Sequence, residues 1–188
     1  MSSPAVDRRA EVLAHSRALL RTRGFNAFSH RDLAALVGVK SSSVHYHFPT
    51  KEDIGLALVA EYRAEVMGLL SSLEGLPVAQ RLDRFTRLFS EAAAHGDQWC
   101  VAGMLASDFE TLGDGLQSEV RRFFNEVEAW LAAQARLLQP QLKPAAALRL
   151  GKTAMAMLEG ALLLARSQGE PQRVAHAAES LKLLLGVE

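Results

Sequence analysis

The sequence is short of almost everything that marks a specialised site. One cysteine, Cys100, stands among 188 residues, which excludes an internal disulfide and any zinc site built on cysteine pairs. A reducing, cytoplasmic compartment is the matching expectation. No stretch approaches the ~18 consecutive apolar residues of a membrane span. The opening Met1-Ser2-Ser3-Pro4-Ala5-Val6-Asp7-Arg8-Arg9 lacks the apolar core of an export signal, so neither membrane insertion nor secretion is expected. There is no Gly-x-Ser-x-Gly elbow, no phosphate-binding glycine loop and no His-Glu-x-x-His pair; the common signatures of hydrolases, nucleotide-binding proteins and zinc peptidases are missing. Nothing calls for a cofactor or a metal. Aromatic residues make up only 6% of the chain, β-branched residues are few and strict alternation is absent, which removes the usual strand signals. Net charge is missing too, because 21 basic side chains balance 21 acidic ones.

What remains is alanine and leucine at helical spacing, with 49% apolar and 22% charged residues, the composition of an ordinary globular protein. The fold class is all-α, with about nine helices. A first helix is expected over 6–23, with Leu13, Ser16 and Leu20 as its buried stripe, Val12 and Leu19 widening it and Gly24 stopping it. Ser29-His30-Arg31-Asp32 has capping-box form and starts a short helix with Leu33, Ala34, Leu36 and Val37 on its apolar face. After a turn at Gly38-Val39, residues 40–47 form barely two turns before Pro49. Thr50-Lys51-Glu52-Asp53 repeats the capping box and opens a long helix over 50–73. Further helices are expected at 78–95, 100–112, 115–139, 144–168 and 171–186, separated by glycines and prolines.

The zero net charge is uneven along the chain. Residues 1–51 hold eight Lys and Arg against three acids, a net +5, and the remainder carries −5. A basic N-terminal piece on an acidic body points to a polyanion at that end, with chance clustering as the competing explanation.

Residues 29–47 have the layout of a helix-turn-helix. Its second helix, Lys40-Ser41-Ser42-Ser43-Val44-His45-Tyr46-His47, has Val44 as its one strongly apolar member. So short a helix depends on its neighbours. It offers hydroxyls, imidazoles, a phenol and an ammonium, groups that phosphates and groove edges accept. Val44, Phe48 and Phe25 read as core. A metal site from His30, His45 and His47 is disfavoured, since residues two apart on a helix diverge.

The run Gly24-Phe25 … Phe28-Ser29-His30-Arg31-Asp32-Leu33-Ala34 … Gly38-Val39 … Val44-His45-Tyr46-His47-Phe48-Pro49-Thr50-Lys51-Glu52 resembles the signature of the TetR/AcrR family of bacterial one-component transcriptional regulators. The resemblance implies a homodimeric repressor, with a DNA-binding domain over 1–50 and a helical-bundle ligand-binding and dimerisation domain over 51–188. Its partners would be a double-stranded DNA operator and a small-molecule effector, apolar or electrophilic. Ser29 then stands where a cap faces a phosphate, and His30 and Arg31 lie early in the first helix of the motif. Lys40, Ser41, Ser42 and Ser43 begin the recognition helix, the end that enters the major groove. His45, Tyr46 and His47 lie at its aromatic end near the phosphate backbone, and Lys51 starts a helix whose N-terminus favours a phosphate. Lys40, His45, Phe28 and Ser42 depart from the commonest residues at their positions, which bears on operator sequence.

Beyond residue 55 the resemblance is one of architecture. The stretch 145–165 is apolar on nearly every side, and a helix apolar all round is buried all round, here with one face against a second subunit. Leu158, Ala161 and Leu162, with Ala178, Leu181 and Leu185 of the terminal helix, are the expected dimer residues. For the effector the candidates are Phe85, Phe89, Trp99, Cys100, Met104, Phe109, Phe123, Phe124, Trp130, Met155 and Glu159, core packing being the competing reading for most. Cys100 is expected at a helix start, where a thiol ionises more readily. The segment His95-Gly96 … Cys100 … Leu105 resembles that of regulators of N-ethylmaleimide reductase, which implies an electrophile sensor; an inert buried cysteine is the favoured competitor. Two other classes stay open on the sequence: a helical interaction module that does not bind DNA, and a small enzyme using Cys100 or a histidine.

Overall fold

The computed structural model describes residues 7–96 and 99–187. Val6, where the first helix was expected to begin, and Asp97 and Gln98 of the segment before Cys100 lie outside the described residues. The regular structure described is helical throughout: α1 (Arg8–Arg23), α2 (His30–Val37), α3 (Ser41–His47), α4 (Lys51–Ser72), α5 (Val78–His95), α6 (Val101–Ser107), α7 (Asp114–Leu138), α8 (Pro144–Gln168) and α9 (Gln172–Leu185). The expected all-α class with nine helices holds among the described residues.

Local chemistry explains most of the boundaries. The Asp7 carboxylate accepts from the Arg9 and Ala10 amides at 3.0 and 3.2 Å, satisfying donors that the first turn of α1 leaves free. The helix buries Val12, Leu13, Ser16, Leu19 and Leu20, the stripe read from the sequence. The Ser16 hydroxyl does not stay orphaned inside, because it donates to the Val12 carbonyl at 2.7 Å. Gly24 ends α1 with φ of +90°, a region that side chains rarely adopt.

One element differs. The helix expected over 100–112 is α6 followed by a separate 3-10 turn, Phe109–Thr111. The break falls at Asp108, whose carboxylate accepts from the Phe25 amide at 2.8 Å. A partner 83 residues away in sequence thus ends the helix; no local breaker does.

By packing, the chain divides into two units, residues 1–62 with 101–120 and residues 63–100 with 121–188. This partition differs from a cut after residue 50, since 101–120 joins the N-terminal helices. In the first unit α1 packs against α2, α3 and α6, around Leu20, Leu33, Val44, Phe48, Ile54 and Leu105, all fully buried. In the second unit α5, α8 and α9 pack on one another over Leu82, Phe85, Phe123, Leu158 and Leu181. Gly151 of α8 lies so close to α7 that a methyl group there would fall on the Glu128 carbonyl. An ion pair between Lys182 and Asp83 ties α9 to α5.

Candidate nucleic-acid interface and effector site

Both capping boxes are present. The Ser29 amide and hydroxyl donate to Asp32 Oδ2 at 2.8 and 2.7 Å, and the Asp32 amide donates back to the hydroxyl at 3.3 Å. Thr50 and Asp53 repeat the arrangement at the start of α4, at 2.8, 2.7 and 3.1 Å. Hydrogen bonds from the Ser29 hydroxyl, then its amide, hold the Asp32 carboxyl below the usual aspartate value, and Thr50 does the same for Asp53. In the free chain the Ser29 hydroxyl and amide, expected to face a phosphate, both donate to Asp32.

The helix-turn-helix is held from inside by Leu33, Ala34 and Val44, and Phe48 closes it from beyond α3. That leaves Arg31, Lys40, Ser42, Ser43, His45 and Tyr46 exposed, Tyr46 at 83%. Ser41, His30 and His47 are partly covered. His30 does not reach outward like its neighbour Arg31. Its ring stacks on His45 with centroids 4.1 Å apart, and its Nε2 meets the Phe48 carbonyl at 2.8 Å. His45 Nδ1 lies 3.3 Å from the Pro49 carbonyl, so the pair braces the end of α3. Tyr46 packs edge-on against His47 at 5.2 Å.

Lys51 also differs from its expected role. Its ammonium sits 4.9 Å from the Phe25 ring centre and 4.8 Å from that of Phe28, a cation–π cradle. Burial pushes its pKa below the usual lysine value, with Asp108 and Asp32 pulling the other way. Three residues that sequence reasoning missed complete this unit. Arg9 lies over the Phe48 ring at 5.1 Å, Asp108 holds the Phe25 amide, and Glu52 Oε1 accepts from the Leu116 amide at 3.3 Å. Their partners lie tens of residues away, so no local pattern marks them. Among the described residues no group of three or more His, Cys, Asp or Glu is placed to hold a metal ion.

The effector candidates separate. Met104 and Phe109 lie within 101–120 and so belong to the first unit; the others belong to the second. There Phe85 contacts Phe89 and Trp130, with ring centres 5.5 and 5.4 Å apart, and Phe123 meets Phe124 at 5.4 Å. Phe85, Phe123 and Met155 are core residues, at most 3% exposed. Trp130 is partly covered, and its indole Nε1 is shut off from solvent without a hydrogen-bond partner. Trp99 donates from Nε1 to the Gly96 carbonyl at 3.0 Å and carries the Arg166 guanidinium 5.0 Å above its ring. Cys100 immediately precedes α6 but is only 6% exposed, and its thiol bonds to the Glu159 carboxyl. An electrophile meets a covered thiol there, which favours the inert reading. Burial pushes the Glu159 carboxyl up, opposed by the Cys100 hydrogen bond, and among the described residues Glu159 Oε1 has no partner.

Most of the expected dimer residues lie inside their own unit. Leu158, Leu162, Ala178, Leu181 and Leu185 are buried in the interior of their own unit, and Ala161 is partly covered. The apolar side chains left uncovered on the same two helices are Leu148, Leu163, Leu164, Leu183 and Leu184, with Leu163 at 67% and Leu183 at 76% exposure.

Comparison with known proteins adds the following. Residues 12–58 match the model described as bacterial regulatory proteins, tetR family, and residues 77–180 match that of the transcriptional regulator LmrA/YxaF-like C-terminal domain. The HTH-type transcriptional regulator EthR of Mycolicibacterium smegmatis is 26% identical over 149 residues, covering 75% of this chain and 64% of that protein. The chain thus spans less than two thirds of that relative. The crystal structure of a TetR transcriptional regulator from Legionella pneumophila is similar at 29% identity and a TM-score of 0.85, covering 98% of this chain and 99% of the other. The reduced form of NemR from E. coli matches at 20% identity and a TM-score of 0.78, covering 94% of this chain and 96% of its own. That last likeness is one of fold alone and lends no support to electrophile sensing at Cys100. Among the described residues no helix is long and apolar enough to cross a membrane.

Proposed function

Because the chain belongs to the tetR family of helix-turn-helix transcriptional regulators, which is not a family of enzymes, we propose that it is a cytoplasmic repressor that binds a palindromic operator as a homodimer and is released by a small molecule. The observation that carries the DNA reading is the outward face of α2 and α3. Arg31, Lys40, Ser42, Ser43 and Tyr46 are exposed together around the buried Val44. Hydroxyls and the phenol suit phosphate oxygens, and the two cations suit a phosphate or a guanine edge. Two such helices in a dimer reach successive major grooves about one helical turn apart. Ser29, His30 and Lys51 support this face by fixing the starts of α2 and α4 and the end of α3.

The exposed leucines of α8 and α9 supply the surface for the second copy, in place of the buried ones first expected. The effector binds within the second unit, where Glu159 and Trp130 leave polar atoms unmet. Cys100 precedes α6 in the chain, and α6 packs on α1. The effect on DNA affinity is bounded by the ligand's preference between the two states.

A gel shift on the DNA flanking the gene tests this, with an Arg31→Ala, Lys40→Ala variant beside the wild type. A discrete shift for wild type, weakened roughly tenfold or more in the variant, is expected. No binding at low salt, or equal binding by both proteins, overturns the proposal.

A further inference from the structure

Glu159 is the anomaly of the second unit. It lies one turn of α8 from Met155 and Leu162, both buried, and beside the buried Leu158. A carboxyl among such residues is unfavourable unless its oxygens are met. One contact is made, from the Cys100 thiol. Oε1 is sealed from solvent and has no partner among the described residues. Leucine would fill the same place without an unmet polar atom, so the geometry leaves a recognition point where core packing alone needs none.

Both a neutral hydrogen-bond donor and a cation would satisfy Oε1, and the surroundings favour the cation. The Cys100 S–H is a donor, and a donor favours the ionised carboxylate. Besides burial, that thiol is the one influence on the carboxyl that stands out among the described residues. The residue next to Cys100, Trp99, holds the Arg166 guanidinium over its ring, a cation–π contact in the same unit.

We infer that Glu159 is the anchor for an effector carrying a protonated nitrogen on an apolar body. This rests on the reading that the second unit binds an effector at all. In the unliganded protein burial favours the protonated form of the acid. On binding, that proton passes to solvent and the ligand's cationic nitrogen meets the carboxylate, while the Cys100 thiol holds the other oxygen.

The test uses the full chain and a matched pair of probes, 4-phenylbutylamine, which is a cation at neutral pH, and 4-phenyl-1-butanol, which is not. Calorimetric titrations are run from pH 5.5 to 8 on wild type, Glu159→Gln and Cys100→Ala. The amine is expected to bind wild type roughly tenfold or more tightly than the alcohol. Glu159→Gln loses that preference. Amine affinity rises with pH as Glu159 gives up its proton, and Cys100→Ala, lacking the donor to the carboxylate, moves that rise to higher pH. The profile and its shift decide the matter even if Glu159→Gln folds poorly. Equal binding of both probes to wild type, or a preference that persists in Glu159→Gln, overturns the cation assignment and leaves an apolar effector site standing. If neither probe binds, the assignment and the effector-site reading fall together.

Discussion

Ser29 and Thr50 show how a side chain suited to a helix start is used up by it. Their pairing with Asp32 and Asp53 was legible because both partners lie three residues apart, within reach of one helical turn. The same closeness takes the Ser29 hydroxyl away from the phosphate it was expected to face. Ser29→Ala should cost about 1 kcal/mol of stability in urea denaturation, with DNA affinity following only through stability. The two aspartates titrate below the ordinary value of 3.8 when folded, so their contribution is present above that pH and is lost as pH falls through the folded value. Asp32→Asn with Asp53→Asn should therefore flatten the acid limb of a stability profile below about pH 4. An unchanged limb would mean that solvent screens both boxes. Glu159 has the opposite sign: burial raises it above the ordinary 4.5, so its contribution is full below that value and is lost as pH rises through the folded one. Thermal melts of Glu159→Gln should gain on wild type toward neutral pH and converge with it in acid. The aromatic partners of Lys51 were not legible in the sequence: Phe25 and Phe28 sit on another segment, and only folding lays their rings under the ammonium.

At the scale of elements, α8 carries the clearest lesson. Its sequence is apolar nearly all round, from which burial on every side was expected, but within the chain Leu148, Leu163 and Leu164 stay exposed. Helical phase against α9 and α5 makes that choice, sending Leu158 and Leu162 inward and leaving Leu163 and Leu164 outside. Leu163→Glu with Leu183→Glu should give a folded monomer by sedimentation velocity, with operator affinity sharply reduced. A stable dimer in that variant would reject the surface proposed for the second copy. Gly151 is set by the same packing. Gly151→Val forces a branched side chain onto the Glu128 carbonyl and should destabilise by about 1–3 kcal/mol, read from the denaturant midpoint. The split of the expected 100–112 helix is a third case, since Asp108 has no local reason to end a helix and turns to meet the Phe25 amide. Caps, glycines and prolines mark boundaries that neighbours in sequence decide; boundaries decided by distant partners leave no such mark.

For the whole molecule, the balance of charge needs a new account. Along the sequence the first 51 residues carry +5. In the packed first unit, the acids of 52–62 and 101–120 bring the total to eight bases against ten acids, a net −2, and the second unit carries +2. In the proposed DNA complex, attraction would rest on the exposed Arg31 and Lys40 and not on the net charge of the unit. Few phosphate contacts imply a shallow dependence on salt. Lys40→Ala should reduce the slope of log affinity against log salt by about 2 for a dimer, one contact per protomer, as measured by fluorescence anisotropy on an operator duplex. An unchanged slope would place Lys40 away from phosphate. The sequence by itself determined the helical class, nearly every helix boundary, both capping boxes and the helix-turn-helix with its family, because each depends on contacts within a few residues or on one contiguous motif. Only the tertiary structure decided that 101–120 joins the DNA-binding unit, that Lys51 is cradled by aromatics, which leucines remain uncovered, and that Cys100 meets Glu159. Those outcomes depend on which distant surfaces meet when apolar faces are buried, and helical periodicity names the face without naming its partner.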